Sequence, residues 1–173
     1  MAAAAATPAR AAGRDARDDM RLSGMAAPGL LTVGGVAVIV GTFLPWVASG
    51  TAERSSYQVF EVIGRLGFAP DGPVGWAMRL WPIMPLLMVL AAAAAWFEYR
   101  VLAAAIGAVG AFYAGGVGFA VNQAPKEGLV RVLSAPLFTG VAAGLVLAGA
   151  VVEMAGVVRS DARSDARSDA LRS

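Results

Sequence analysis

Apolar residues are gathered into four long blocks along the chain. The blocks cover residues 29–48, 80–97, 101–121 and 136–158. A helix of about 20 apolar residues crosses the ~30 Å hydrocarbon core of a bilayer. Barrel strands are only about 9–11 residues long and alternate in polarity, so helices are favoured over strands. The pattern predicts four transmembrane helices.

Polar segments separate these blocks and set the predicted topology. Residues 49–79 form a long loop, and residues 122–135 form a second polar connection. Between the second and third blocks stand only Glu98, Tyr99 and Arg100, so these two helices are expected to form an antiparallel hairpin. We therefore predict an all-α fold: one membrane-embedded four-helix bundle over residues 28–158.

Both ends of the chain have a composition that disfavours a packed fold. Residues 1–27 are rich in Ala and charge and offer little apolar surface. Residues 159–170 repeat Arg-Ser-Asp-Ala three times, which would place like charges at i,i+4 on a helix. No Arg–Asp pair falls at i+3 or i+4. We predict that the segments 1–27 and 159–173 are disordered tails.

The first block has an alternative interpretation as the apolar part of a cleaved signal peptide. Ala48, Ser49 and Gly50 supply small residues at the spacing of a cleavage site. The block has 20 uncharged residues and follows a long tail. Both properties favour a membrane span.

The long loop carries the pattern of a short helix. Ser55 and Gln58 have the spacing of a capping box. An apolar face then recurs at i, i+3, i+4 and i+7, formed by Val59, Val62, Ile63 and Leu66. Glu61 and Arg65 can pair at i,i+4. The segment predicts an amphipathic helix that lies on the outer membrane interface or over the helix ends.

The distribution of Lys and Arg predicts the orientation. With four spans, both tails and the 98–100 turn share one side and hold nine of these residues, whereas the other side holds five. Cytoplasmic segments carry the excess. We therefore predict a multi-pass protein of the plasma membrane with both termini in the cytoplasm. Trp46, Trp76 and Trp81 would then lie near the outer interface and Trp96 near the inner one, as in aromatic belts.

Composition excludes several classes of chemistry. The chain has no Cys and no His, which excludes thiol nucleophiles, thiolate metal sites and imidazole bases. A net charge of +2 gives no electrostatic basis for binding nucleic acid. The sequence contains no phosphate-binding glycine loop and no metal-ligand spacing. We expect no cofactor and no metal site.

The long loop is the first candidate site. Its potential hydrogen-bonding and charged groups are Glu53, Arg54, Ser55, Ser56, Tyr57, Glu61 and Arg65. Such a set could bind a lipid head group, a cell-envelope sugar or a partner protein. Alternatively, the loop is a structural lid whose charges are solvated or paired with each other. Catalysis by its carboxylates, with Asp71 as a further acceptor, is a weaker possibility because their spacing is not fixed.

Glu153 is the second candidate. It is the only Asp, Glu, Lys or Arg inside the four blocks, and intramembrane charges are costly and often functional. It lies five residues from the end of its block, so it could reach the interface or pair with Arg159 or Arg100. A proton or cation site and a contact between subunits are the alternatives.

Small residues recur every four positions in the third and fourth blocks. Such stripes allow close packing of helices, either inside the bundle or between copies of the chain. The stripes are Ala103, Gly107, Ala111 and Gly115; Gly110, Ala114 and Gly118; and Gly140, Gly144 and Ala148.

Three sequence runs resemble a known group of proteins. The runs are Leu-Pro-Trp…Ser-Gly…Arg-Ser-Ser-Tyr within 44–57, Leu-Gly-Phe at 66–68, and Gly-Trp…Arg-Leu-Trp-Pro within 75–82. In these runs the chain is similar to small four-span integral membrane proteins of actinobacteria, including mycobacteria. The resemblance covers roughly residues 29–158. It implies membrane placement and a bacterial host, and it assigns no catalytic or binding residue.

The sequence therefore favours a non-enzymatic membrane protein, an accessory or scaffold component of a cell-envelope system. Its partners would be the bilayer and either another membrane protein or a second copy of itself. The first alternative is a small oligomeric transporter or channel that uses Glu153. The second is a membrane enzyme that acts on a lipid head group at the long loop.

Overall fold

The structure of the chain is a computed structural model that describes residues 7–67, 71–123 and 130–172. Most of these residues are helical. In chain order the elements are α1 (Thr7–Phe43), β1 (Pro45–Ser49), β2 (Ala52–Ser55), α2 (Ser56–Arg65), α3 (Pro73–Leu80), a 3-10 turn (Trp81–Ile83), α4 (Met84–Trp96), α5 (Arg100–Asn122), β3 (Val130–Val132) and α6 (Ala135–Ala170).

The four predicted apolar helices are present. Four helical segments of the described chain are long and apolar enough to cross a membrane: Met25–Phe43, Val74–Trp96, Arg100–Asn122 and a part of α6. The first ends earlier than predicted, because the chain leaves the helix ahead of Pro45. The second begins earlier, at α3, and passes through the 3-10 turn around Pro82. Proline has no N–H to donate to the preceding turn, which accounts for this irregularity.

Where disordered tails were predicted, the structure has helix over most of residues 7–27 and 159–172, and residues 1–6 and 173 lie outside the described residues. Helix α1 already begins at Thr7, and α6 continues through the repeat to Ala170. A helix that is already formed extends without a new nucleation cost, and Ala and Arg are good helix formers. In the repeat, Ser164 Oγ donates to Ser160 O at 3.1 Å, and Ser168 Oγ donates to Ser164 O at 3.0 Å. Repulsions between like charges at i,i+4 are only a few tenths of a kcal/mol and are screened by solvent, so they do not prevent this helix.

Helices α1, α4, α5 and α6 form the bundle. Helix α6 packs along both α1 and α5, and α4 packs along the other side of α1 and α5. The core consists mostly of alanines with a few larger side chains such as Leu31, Met88 and Val146. Small residues therefore set the spacing between the helices.

The stripes of small residues in α5 face the bundle interior, as one of the two interpretations predicted. Ala103, Gly107 and Ala111 are buried, as are Gly110, Ala114 and Gly118. A Cβ on Gly118 would lie 2.7 Å from the carbonyl oxygen of Pro136 in α6. The stripe in α6 differs, because Gly144 and Ala148 are exposed and Gly140 is half-buried.

A three-stranded sheet is the main feature that the all-α prediction missed. The strand order is β2-β1-β3, and both pairs are antiparallel. Val47 lies opposite Arg54 on one side and Val132 on the other. A two-residue loop joins β1 to β2, and its Gly50 has a φ of 61°, a conformation that glycine adopts without strain. The sheet joins the end of α1 to the start of α6.

Gly118→Ala should separate α5 from α6, because the new methyl group would meet the backbone of Pro136. We expect a loss of about 1–3 kcal/mol in the free energy of unfolding, the usual cost of overpacking. The measurement is unfolding in detergent micelles titrated with a denaturing detergent. Gly116→Ala on the same helix is the control, because a Cβ there meets no atom within 4 Å. Equal stability of the two variants would contradict the described α5–α6 contact.

Candidate functional site

The sheet, α2 and α3 lie together at the end of the bundle where α1 ends and α6 begins. We call this region the cap and define it as residues 45–67, 71–83 and 130–134. Strand β1 follows α1 after a single residue, and β3 is followed by α6 after Leu133 and Ser134. The backbone N–H of Leu133 donates to the carbonyl of Trp46 at 2.8 Å. The cap is therefore tied to two of the four long helices.

Two buried tryptophans form the centre of the cap. Trp46 is 1% exposed and Trp81 is fully buried. Their ring centroids are 5.5 Å apart in an edge-to-face arrangement, and Phe60 of α2 contacts both rings in the same way. Tyr113 of α5 lies against Trp81 at 5.4 Å. Edge-to-face pairs add about 0.5–1.5 kcal/mol each beyond the burial of area. The cluster therefore joins α2, β1, the 3-10 turn and α5.

The polar groups in this apolar cluster are satisfied by the end of α1. Trp46 Nε1 donates to the carbonyl of Gly41 at 2.8 Å. Ser56 Oγ donates to the carbonyl of Thr42 at 2.6 Å and accepts from Trp81 Nε1 at 2.9 Å. The last four carbonyls of a helix have no partner within it. The cap thus supplies donors to carbonyls that the end of α1 leaves free.

Two tyrosines extend this network. Thr42 Oγ1 lies 3.3 Å from the hydroxyl of Tyr57 and also donates to the carbonyl of Ile39 at 2.7 Å. Since its only proton is used there, Tyr57 is the donor to Thr42. Tyr57 also packs on Phe43 with the ring centroids 5.0 Å apart. The hydroxyl of Tyr113 donates to the carbonyl of Ala77 in α3.

The structure divides the predicted site residues of the long loop into two groups. Ser55, Ser56 and Tyr57 have structural roles at the start of α2. The backbone N–H of Ser55 donates to Gln58 Oε1 at 3.0 Å, which is the capping contact that the sequence indicated. Ser56 is fully buried, so it is not a surface donor.

The remaining four residues, Glu53, Arg54, Glu61 and Arg65, line one open groove of about 430 Å³ between β2 and α2, together with Ala52, Gln58 and Val62. We call it the polar groove. Arg65 Nη2 lies 2.5 Å from Glu61 Oε1, as the i,i+4 spacing predicted. Both side chains of the pair are largely exposed, so the pair contributes little to stability. The groove is formally neutral and presents both signs of charge.

A second cavity, of about 410 Å³, separates α2 from α3. It is lined by Tyr57, Phe60, Glu61 and Gly64 on one side and by Gly75, Met78, Arg79, Trp81 and Pro82 on the other. We call it the aromatic cavity. This cavity was not predicted, because its two walls come from segments that no local sequence pattern connects. The clustering of aromatic residues around 57–60 and 76–82 is the signal that could have indicated it.

Glu153 lies away from both, at the other end of the bundle, beside the start of α5. It is 5% exposed, and its Oε2 lies 3.9 Å from Arg100 Nε. Of the two predicted partners, Arg100 is therefore the one observed. Arg100 passes over Gly156, where a Cβ would come within 3.3 Å of Arg100 Nη1. Glu153 and the polar groove are separate features.

No family model, curated protein or solved structure matches this chain. The resemblance to actinobacterial membrane proteins therefore stays a prediction. In the described parts of the chain, no three carboxylates lie close enough together to hold a metal ion. What the protein does must be inferred from the cap, the two openings beside α2 and the Glu153–Arg100 pair.

Ser56→Ala should loosen the cap from the bundle. The substitution removes the acceptor of the buried Trp81 N–H and the donor to the carbonyl of Thr42. Leaving a buried polar group unsatisfied costs about 1–3 kcal/mol, so the free energy of unfolding should fall by at least that amount. Near-ultraviolet circular dichroism should report weaker tryptophan signals. The exposed Ser49→Ala is the control, and an equal effect of the two variants would remove the role assigned to Ser56.

Proposed function

We propose that this chain is a non-enzymatic integral membrane protein, an accessory or scaffold component of a cell-envelope system, whose cap recognises a partner. Its four long apolar helices would span the plasma membrane, with both termini in the cytoplasm and the cap outside. The observation that carries the proposal is the anchored cap. A recognition surface needs a fixed shape, and the buried hydrogen bonds of Trp46, Ser56 and Trp81 hold α2 and the sheet on the bundle.

The interior of the bundle supports a role other than transport. Among the described residues, the buried polar side chains are Thr42, Ser56, Thr139 and Glu153. The first two belong to the cap network, and Thr139 donates to the carbonyl of Ala135 in its own helix at 2.9 Å. A transporter usually has a polar site near the membrane midplane. The polar groups here lie instead toward the two ends of the bundle.

Helix α2 supports placement of the cap at a membrane surface. Val59, Phe60 and Ile63 are half-buried, whereas Glu61 and Arg65 are exposed. A helix of this polarity suits an interfacial position, with charged groups in water and the apolar face on protein or lipid. The exposed Trp76 of α3 has the amphipathic character typical of such an interface.

The polar groove is the surface that we propose for partner binding. It is open, it lies on the anchored part of the cap, and Glu53, Arg54, Glu61 and Arg65 offer both donors and acceptors. Charges of both signs in a fixed arrangement give specificity toward a partner with the complementary pattern. A partner protein is therefore favoured over a simple anion or cation.

A photo-crosslinking residue at Gln58, which lines the polar groove, should capture a partner in native membranes. We expect a discrete adduct heavier than the protein itself, and we expect it to weaken when Glu53 and Arg54 are both changed to Ala. The same crosslinker at Arg131 is the control, because Arg131 is exposed on β3 and lines no part of the groove. No adduct, or the same adduct at both positions, would count against partner binding at this groove.

The alternative function is an oligomeric transporter or channel that uses Glu153. Its burial at 5% exposure is the observation that favours this alternative. The nearby Arg100 guanidinium supports a structural role instead, since it balances the charge and joins the 98–100 turn to α6.

Glu153→Gln distinguishes these two roles in liposomes. A transport role predicts that the wild-type protein moves protons or cations and that Glu153→Gln abolishes the flux while the protein still folds. We expect instead no flux above that of empty liposomes for either protein. Flux by the wild type that Glu153→Gln removes would establish the alternative.

A further inference from the structure

The aromatic cavity is lined mainly by apolar groups, with two charged residues among them. Its walls include the rings of Phe60 and Trp81 and the side chains of Met78 and Pro82. Its charged lining residues are Glu61 and Arg79. Ligand cavities of about 300–1,000 Å³ with apolar walls and a few polar groups are typical of small-molecule sites. A volume of about 410 Å³ lies within this range.

The two charged groups are not equivalent, because only one has an ionic partner. Glu61 Oε1 is 2.5 Å from Arg65 Nη2, so its charge is balanced. Within the residues that the structure describes, no carboxylate oxygen lies within 4.0 Å of the guanidinium of Arg79. Arg79 lies instead over the ring of Trp76, 5.7 Å from its centroid. The cavity therefore carries one uncompensated positive charge, positioned by an aromatic ring.

The depth of the cavity along the second apolar helix indicates which part of a bilayer would face it. The hydrocarbon core is ~30 Å thick, which corresponds to about 20 residues of helix. Counting this length back from Trp96, at the other end of the second span, reaches the neighbourhood of Ala77. In a bilayer spanned in this way, Arg79 would lie near the boundary between the acyl chains and the head groups, on the side of the cap. Phosphate groups of the bilayer lie at this level.

We propose that the aromatic cavity binds an anionic phospholipid of the leaflet on the cap side. Arg79 binds the phosphate, and the glycerol with the first part of an acyl chain lies against Phe60, Met78 and Pro82. Guanidinium groups bind phosphate through paired, charge-assisted hydrogen bonds. The proposal requires the membrane placement but not the accessory role, since it concerns a different opening and a different class of ligand.

Arginine and glycine variants test the two halves of this site separately. Arg79→Gln removes the positive charge from the lining of the cavity. Gly64→Leu fills the cavity from the side of α2, where a Cβ meets no atom within 4 Å. Leucine is also a better helix former than glycine, so the second variant should fold. Arg131→Gln is the matched charge control, because Arg131 is exposed and lines no part of the cavity.

The measurement is native mass spectrometry of the full-length protein in detergent with added lipid. The probes are phosphatidylglycerol and phosphatidylcholine with the same acyl chains, and sn-glycerol 3-phosphate as a soluble competitor. We expect the wild type to bind one phosphatidylglycerol more tightly than phosphatidylcholine. Arg79→Gln should weaken phosphatidylglycerol binding by about tenfold, the loss expected for a hydrogen bond to a charged group. Gly64→Leu should weaken the binding of both lipids, and Arg131→Gln should change neither.

Three results would overturn the proposal. The first is unchanged phosphatidylglycerol binding by both Arg79→Gln and Gly64→Leu. The second is an equal loss for Arg79→Gln and Arg131→Gln, which would mean that the effect of charge is general. The third is displacement by sn-glycerol 3-phosphate at the concentrations at which the lipid binds, which would mean that the cavity holds a phosphate without its acyl chain. If the crosslinking at Gln58 fails while the lipid results hold, the accessory role falls and the lipid site stands.

Discussion

The carbonyl groups at the end of α1 are the constraint around which the cap is built. A helix end inside an apolar region needs donors for its last carbonyls, and water is scarce there. The chain provides them from two separate segments: the indole of Trp46, one turn further on, and the hydroxyl of Ser56 at the start of α2. Because Ser56 also accepts from Trp81, the same hydroxyl holds the 3-10 turn between α3 and α4. One buried oxygen atom thus connects three elements.

Most of the bundle follows directly from the sequence, because an apolar block of about 20 residues has few alternatives to a helix in a membrane. The three-residue turn at 98–100 likewise left only a hairpin. The helix after Ser55 was predictable for a local reason, the spacing of Ser55 and Gln58. The first span was predicted to run through Ala48, however, because Leu44–Ala48 are as apolar as the residues before them. Hydropathy alone does not separate a buried strand from the end of a buried helix.

The candidate site was predicted only in part, for a related reason. The charges at 53, 54, 61 and 65 line one groove because two of them share a face of α2 and the other two lie on the adjoining strand. The role of Ser56 depends on Trp81, which is 25 positions away along the chain. The aromatic cavity has the same long-range origin. Contacts of this kind arise from tertiary packing, so they cannot be predicted from a local sequence pattern.

Helix α2 separates the two openings, and Glu61 lines both. The groove and the cavity therefore share a wall that is one helix thick. The hydrogen bonds of Ser56 and Tyr57 hold that wall on α1. A ligand in the cavity would thus contact the same helix that a partner in the groove would contact.

Because α6 continues through the tandem repeat as one helix, each repeat unit adds a fixed length and rotation to it. Each unit of four residues adds ~6 Å to the helix and turns it by roughly 40° beyond a full turn, at the usual 1.5 Å and 100° per residue. Three units make an arm of ~18 Å at the end of α6. Gain or loss of one unit would change the reach of this arm in fixed steps and leave the helix contacts inside the bundle unaltered. The repeat therefore makes the length of the arm a quantity that can vary independently of the fold.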